Sequence, residues 1–167
     1  MKKYLLVFCY IVSVFLSSCS KDVPPKIKGD FEAVVTVRDI ETDLENFLLK
    51  ADISVENSNN VEITVISPKE ISGLSYIWGE EFEMVYKNLH CKTEKDYLPQ
   101  FSFSQGIYNV LNSLYENDKA TKSENGDWLF KGESQSGEYE VQTDSKGYIQ
   151  NISIKEISLC ADFEYSD

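Results

Sequence analysis

Alternation of apolar and polar residues dominates the chain from residue 30 onward. Apolar side chains recur at every second position over residues 31–37, 47–55 and 61–65. Because successive side chains of a strand point to opposite faces, this period of two is typical of antiparallel strands with one buried face. We therefore predict three long strands, followed by shorter strands and tight turns after Ser67-Pro68, for a total of about nine.

One segment has the period of a helix instead. Ile107, Val110, Leu111 and Leu114 are spaced i, i+3, i+4 and i+7, which places them on a single helical face. The spacing predicts one principal helix over about 103–116. Ser102 and Gln105 stand three residues apart just before this face, and they match a capping box.

The first residues carry an export signal. Lys2 and Lys3 precede an apolar run over residues 4–16, which is shorter than the roughly 20 residues that a spanning helix needs. The run ends in Leu16-Ser17-Ser18-Cys19, which resembles a bacterial lipobox. We predict a lipoprotein signal peptide over 1–18 and lipidation of Cys19. An ordinary signal peptide with an incidental cysteine is the alternative.

These segments divide the chain into a signal peptide, a lipidated N-terminus with its tether over 19–28, and a single domain over 29–167. Removing residues 1–18 from the 167 leaves 149 residues, and the loss of Lys2 and Lys3 takes the formal charge from −12 to −14. This acidity argues against a nucleic-acid partner and against a polybasic grip on an anionic membrane. Attachment to the membrane is therefore expected to depend on the acyl chains.

Residues suited to catalysis or metal binding are scarce. The chain has a single histidine, His90, and it stands beside Cys91. These two residues are fewer than the four ligands of a structural zinc site. Clustered acids such as Glu80, Glu81 and Glu83 are expected to form a solvated surface, because their spacing differs from that of a calcium loop. We predict no enzymatic activity, no metal and no cofactor.

Two cysteines remain in the exported domain, Cys91 and Cys160. An even pair in an exported protein can form a disulfide, and two free thiols are the alternative. By alternation Cys160 lies on the face opposite Leu159 and Ala161, so it is expected to point away from the core.

The order of features over residues 29–163 resembles the superfamily of bacterial lipoprotein-localisation factors (the LolA/LolB-like fold). The resemblance implies a mainly β (α+β) fold, in which a strongly curved antiparallel sheet forms an incomplete barrel and the predicted helix covers its concave face. In that family the space between sheet and helices holds acyl chains. The features that carry the resemblance are the three long strands, Ser67-Pro68, Gly73-Leu74-x-Tyr76, Leu98-Pro99 before the helix, Gly137-x-Tyr139-x-Val141, Asp144-x-x-Gly147 and Ile149-x-x-Ile152-x-Ile154.

Two functions follow as hypotheses. The first is a non-enzymatic protein, lipid-anchored on the extracytoplasmic face of the cell membrane, that binds an acyl chain or another apolar ligand as a carrier or a sensor. The second is a cell-envelope interaction module with a packed core and no ligand, whose protein partner the sequence does not name. The candidate cavity residues of the first hypothesis are apolar and face inward: Val35, Leu49, Ile53, Ile63, Val65, Leu111, Tyr115, Tyr139 and Ile152.

Overall fold

Eleven strands and one α-helix make up most of the described structure. The computed structural model describes residues 23–39, 49–56, 60–95, 102–116 and 119–165, so the predicted signal peptide and Cys19 lie outside the described residues. The helix is α1 (Phe103–Tyr115), and a short 3₁₀ turn spans Lys69–Ile71. The strands are β1 (Phe31–Asp39), β2 (Leu49–Glu56), β3 (Asn60–Ser67), β4 (Ser75–Trp78), β5 (Phe82–Tyr86), β6 (Leu89–Thr93), β7 (Ala120–Lys122), β8 (Trp128–Ser134), β9 (Gly137–Thr143), β10 (Ile149–Ile154) and β11 (Leu159–Glu164).

All eleven strands belong to one antiparallel sheet. Their order is β6-β5-β4-β3-β2-β1-β11-β10-β9-β8-β7. Strands that follow one another in the chain therefore pair with each other, except β6 and β7, and β1 pairs with β11. Within the described residues β6 and β7 form the two edges, and the sheet is not closed into a barrel. The predicted fold class is confirmed. The predicted number of strands was too low, and β7 in particular has only three residues, too few for alternation to show.

The sheet curves around α1, as the helix contacts demonstrate. Tyr108 of α1 stacks on Trp78 of β4 with ring centroids 4.9 Å apart, while the same helix packs on β8, β10 and β11. Seven strand spacings separate β4 from β8 in the sheet. At about 4.8 Å per spacing a flat sheet would hold them roughly 34 Å apart. A helix about 10 Å wide can touch both only if the sheet wraps around it.

The core lies between α1 and the concave face of the sheet. Alternate residues of each long strand are buried there, as in β3, where Val61, Ile63 and Val65 are buried and their neighbours are not. The four residues of the predicted helical stripe, Ile107, Val110, Leu111 and Leu114, have no exposed surface. The predicted helix is thus confirmed, with its apolar face against the sheet.

The N-terminal segment packs on the domain before β1 begins. Ile27 belongs to the buried core, and the backbone N–H of Lys28 donates to the carbonyl of Gly147 at 3.1 Å. Gly147 has a φ of +87°, and a Cβ there would overlap the carbonyl oxygen of Lys26. A glycine is therefore needed at this turn both for its backbone conformation and for the close approach of the N-terminal segment. The folded unit begins by Ile27, within the stretch predicted as a tether.

Candidate functional site

The residues predicted to line a cavity lie together in the core. Tyr115 is partly buried, and its hydroxyl donates to the carbonyl of Lys28 at 3.0 Å, so it faces the N-terminal segment. The side chain of Leu49 lies outside the described residues. Whether these positions enclose a ligand stays a prediction. The other seven are almost completely buried in one apolar cluster: Val35, Ile53, Ile63, Val65, Leu111, Tyr139 and Ile152.

The concave face of the sheet extends beyond this cluster to an apolar margin, defined here as Tyr76, Met84, Tyr86 and Leu89. Cross-strand pairing places Ile63, Tyr76 and Met84 side by side on one face of the sheet. Tyr86 lies two residues after Met84 in β5, so it is on the same face, and it pairs with Leu89 of β6. Exposure rises outward, to 37% for Met84 and 72% for Leu89. The apolar margin therefore joins the buried core to solvent along one continuous face.

Tyr76 marks the inner end of the apolar margin. Its ring meets that of Phe103, the first residue of α1, in an edge-to-face contact with centroids 5.4 Å apart. Burial raises the pKa of the Tyr76 phenol above its ordinary value, because the phenolate would be poorly solvated there. The phenol is thus neutral over the physiological range, and this end of the margin carries no charge from it.

The start of α1 differs from the predicted capping box. Ser102 is the N-cap, and its Oγ accepts a hydrogen bond from the Gln105 backbone N–H at 3.2 Å. The reciprocal half is not formed, because the Oε1 of Gln105 has no hydrogen-bond partner among the described residues. Gln105 instead turns its side chain into a pocket on the flank of the helix.

This polar pocket encloses about 270 Å³ between α1, the end of β4 and the turn between β8 and β9. Polar residues of α1 occupy one flank at helical spacing, beside the apolar stripe. The cation of Lys95 lies against the pocket, with its Nζ donating to the Tyr108 hydroxyl at 2.6 Å. The lining residues of the polar pocket are Trp78, Lys95, Gln105, Tyr108, Asn109, Asn112, Ser113 and Gln135.

The sequence prediction did not include the polar pocket. Its signal is a second helical stripe, Gln105, Tyr108, Asn109 and Asn112, at the same i, i+3, i+4 and i+7 spacing as the apolar one. A polar stripe of this kind ordinarily faces solvent. Here Gln105, Tyr108 and Asn109 are buried, since the curved sheet covers α1 on more than its apolar side.

The candidate disulfide between Cys91 and Cys160 is not formed in the structure, in which both of these thiols are free. Pairing places Cys91 beside Met84 on the concave face, whereas Cys160 pairs with Ser153 and Arg38 on the convex face. Five strands stand between β6 and β11 in the sheet. A disulfide needs Cα atoms within about 7 Å and Cβ atoms that face each other, and neither thiol is placed for that. The prediction that Cys160 points away from the core is confirmed.

Acidic side chains near β5 and β6 form exposed ion pairs. Glu83 accepts from the Nε2 of His90 at 2.9 Å and lies 3.3 Å from the ammonium of Lys92, which also pairs with Glu81. The hydrogen bond from His90, followed by that from Lys92, lowers the pKa of the Glu83 carboxyl. Within the described part of the chain, no three His, Cys, Asp or Glu side chains converge as metal ligands. Nor does that part contain a helix long and apolar enough to cross a membrane.

Comparisons with known proteins give likenesses of structure at low identity. No family model and no curated protein matches the sequence. The crystal structure of LolA superfamily protein NE2245 from Nitrosomonas europaea superposes with a TM-score of 0.45 and 10% identity, covering 86% of each chain. An uncharacterized conserved protein from Thermus thermophilus superposes with a TM-score of 0.46 and 12% identity, covering 82% of this chain and 80% of the other. Both likenesses concern the fold alone.

Proposed function

We propose that this protein is a non-enzymatic, extracytoplasmic lipoprotein that binds an acyl chain or another apolar ligand on the concave face of its sheet. The observation that carries the proposal is the apolar margin. Leu89 is 72% exposed and Met84 is 37% exposed, and both continue the face that forms the core. Apolar side chains exposed next to a buried apolar cluster are typical of sites that bind apolar ligands.

The proposed anchor would hold the domain near a source of acyl chains. Ile27 packs in the core, and it lies only eight residue steps from Cys19. At about 3.5 Å per residue, that stretch reaches no more than roughly 28 Å when fully extended. A diacylated cysteine keeps a protein stably on a membrane, whereas a single chain is marginal. A domain held at this distance encounters lipids more often than any other apolar compound.

Ligand binding is tested by native mass spectrometry of the purified full chain with palmitate. We expect one bound palmitate, and we expect Met84→Glu to reduce the bound fraction severalfold because a carboxylate would stand in the apolar margin. Ile66→Glu is the matched control, since Ile66 is 41% exposed but lies on the convex face of β3. Absence of an adduct, or equal losses in both variants, would refute acyl binding at this face.

The anchor is tested separately, by growing the source bacterium or a heterologous host with an alkyne analogue of palmitate. The full chain should be labelled and should fractionate with membranes. Cys19→Ser should abolish both the label and the membrane association. Unlabelled protein with an intact Cys19 would show that the segment is an ordinary signal peptide.

A second candidate function, an interaction module, is favoured by the edge strand β6. Four of its five residues are exposed, and within the described residues its outer edge has no partner strand. An exposed edge can accept a strand from another protein through backbone hydrogen bonds. Crosslinking in envelope extracts from a photoreactive residue at position 90 should then capture a protein. Recovery of lipid alone would count against this function.

A further inference from the structure

The strand β6 presents exposed side chains on both faces of its edge of the sheet. On the concave face, Leu89 is 72% exposed and Cys91 is exposed as a free thiol. On the convex face, the side chains of His90 and Lys92 are 56% and 48% exposed. A strand at the edge of a sheet offers its outward backbone N–H and C=O groups to another chain. The exposure of β6 on both faces leaves room for such a chain beside it.

The chain turns away from this edge after β6 ends. Lys95 follows Thr93 by two residues and has 3₁₀ conformation, and its Nζ donates to the hydroxyl of Tyr108 in α1 at 2.6 Å. Because α1 packs on the concave face, the backbone at Lys95 has already turned towards the interior of the fold. Among the described residues, no strand runs outside β6. Within that part of the chain, the edge is open to a strand from another molecule.

The lysine of β6 does not protect this edge as an isolated lysine would. Exposed lysines commonly keep the edges of two sheets apart, because an incoming strand meets their charge. The ammonium of Lys92 is paired with the carboxylate of Glu81 and lies 3.3 Å from that of Glu83. Two carboxylates of the same protomer thus surround one cation, so an incoming strand meets no net positive charge at this position.

The sequence of β6 is self-complementary in an antiparallel arrangement. Cys91 is the middle of its five residues. About a twofold axis at Cys91, Leu89 lies opposite Thr93 of the second copy, and His90 lies opposite Lys92 of the second copy. Every residue then has a partner, and opposite residues of an antiparallel pair share a face. A register centred on Lys92 would place two ammonium groups opposite each other, which is destabilising, and one centred on His90 would pair fewer residues.

We propose that two copies of this chain associate edge to edge through antiparallel β6 strands, with their Cys91 residues facing each other at the twofold axis. Such a contact is isologous and closed, which is the commonest arrangement of homo-oligomers. The opposite edge strand, β7, has only three residues, so pairing it with β6 of another copy would form fewer hydrogen bonds and leave the assembly open. In the dimer the two concave faces continue into each other, since Met84 lies beside Cys91 in each copy.

The size of this contact sets its strength. Five paired residues on each side are far fewer than the roughly 20–30 of a standard stable interface. We therefore expect a weak dimer, with a Kd on the order of 10–100 µM. Association leaves both Cys91 thiols reduced. The dimer is independent of acyl binding, and it differs from the second candidate function because a copy of this chain, rather than a foreign protein, supplies the strand beside β6.

Disulfide crosslinking of the purified full chain tests the dimer. Opposite residues of an antiparallel pair have Cα atoms about 4.5–5.5 Å apart, which is within the reach of a disulfide. A chain with Cys9, Cys19 and Cys160 replaced by serine keeps Cys91 alone, and it is treated at about 50 µM with diamide, which accepts the two hydrogens that the thiols release as the S–S bond forms.

The rate of crosslinking is compared with that of random collisions. Ile66→Cys, in a chain whose four natural cysteines are serine, is the matched control, because Ile66 is 41% exposed but lies on the convex face of β3. We expect the Cys91 chain to form covalent dimers at least about tenfold faster than this control, since paired thiols have a high effective concentration. Equal rates in the two chains would overturn the proposal.

Two further variants test the register. Leu89→Cys and Thr93→Cys are each made in a chain without other thiols. The pairing places Leu89 opposite Thr93 of the second copy, but about 14 Å from Leu89 of the second copy, at about 3.4 Å per residue over four residues. A mixture of the two variants should therefore crosslink rapidly, whereas each variant alone should crosslink no faster than the Ile66→Cys control. Self-crosslinking of Leu89→Cys as fast as that of the mixture would overturn the proposed pairing.

The crosslinking is carried out without lipid, so its outcome is separate from that of the palmitate experiment. If Cys91 fails to crosslink while the wild-type chain binds palmitate, the dimer alone is overturned. If Cys91 crosslinks in the expected register while palmitate does not bind, the dimer stands and acyl binding alone is overturned.

Discussion

Removing the side chain of Ile27 should destabilise the whole domain, although this residue belongs to a stretch that the sequence predicts to be a tether. Ile27 is 7% exposed and packs in the core, and Lys28 next to it donates to the carbonyl of Gly147. Ile27→Ala deletes three carbon atoms from an apolar environment. At about 0.8 kcal/mol per buried carbon, the loss is roughly 2 kcal/mol, and the cavity left behind adds to it.

The free energy of unfolding of the full chain is measured by urea denaturation, with circular dichroism as the probe. For a domain of this size, about 2 kcal/mol corresponds to a fall in Tm on the order of 4–8 °C. Val23→Ala is the matched control, because Val23 lies four residues earlier in the same segment and is 79% exposed. Its effect should stay within about 0.5 kcal/mol. If Ile27→Ala changes the free energy of unfolding no more than Val23→Ala, the segment is a free tether and the reasoning fails.

Three further predictions follow from the packing, the thiols and the surface charges. Gly106→Ala should raise the stability by less than the helix-propensity gain of about 1 kcal/mol, because its Cβ would lie 2.7 Å from Cδ1 of Ile157, which has to shift. Ile157→Val should restore part of the missing gain. A single variant that already shows the full gain in urea unfolding would contradict this. Ellman titration of the unfolded chain should count two free thiols, Cys91 and Cys160, besides Cys9 and Cys19. In the native chain the exposed Cys91 should react before the half-buried Cys160. A mass that rises by about 2 Da on reduction, two hydrogens per disulfide, would disprove the presence of two free thiols. NMR titration should give Glu83 a pKa below that of a free glutamate, and His90→Gln should raise this pKa because the hydrogen bond from His90 is the main cause of the shift; an unchanged Glu83 pKa in the variant would refute the assignment. Because the pKa is lowered in the folded state, the stabilisation from Glu83 is present at neutral pH and is lost as the pH falls through that pKa.

Local periodicity was sufficient to predict most of the elements. A strand alternates its side chains between two faces, so Val61, Ile63 and Val65 predict β3 and its buried face without any knowledge of neighbours. The stripe from Ile107 to Leu114 and the Ser102 cap predict α1 nearly to its ends. The face of Cys160 followed from the same alternation.

Strand order decided what alternation could not. Cys91 and Cys160 each have a predictable face relative to their own strand, but whether the two faces coincide depends on pairing across the sheet. The register places them on opposite faces with five strands between them, which excludes the disulfide in this fold. Sequence spacing does not contain that information, since the pairing of β1 with β11 joins residues more than a hundred positions apart.

Curvature determined the rest of the candidate site. The sequence by itself established a mainly β domain, one helix and an acidic surface, because these depend on neighbours along the chain. Only the tertiary structure showed that the sheet wraps around α1 far enough to bury its polar flank as well as its apolar stripe. That wrapping places Gln105 in the wall of the polar pocket, and the packing of the N-terminal segment on the turn between β9 and β10 makes Ile27 part of the core. Both outcomes depend on which surfaces meet in space, which no local pattern specifies.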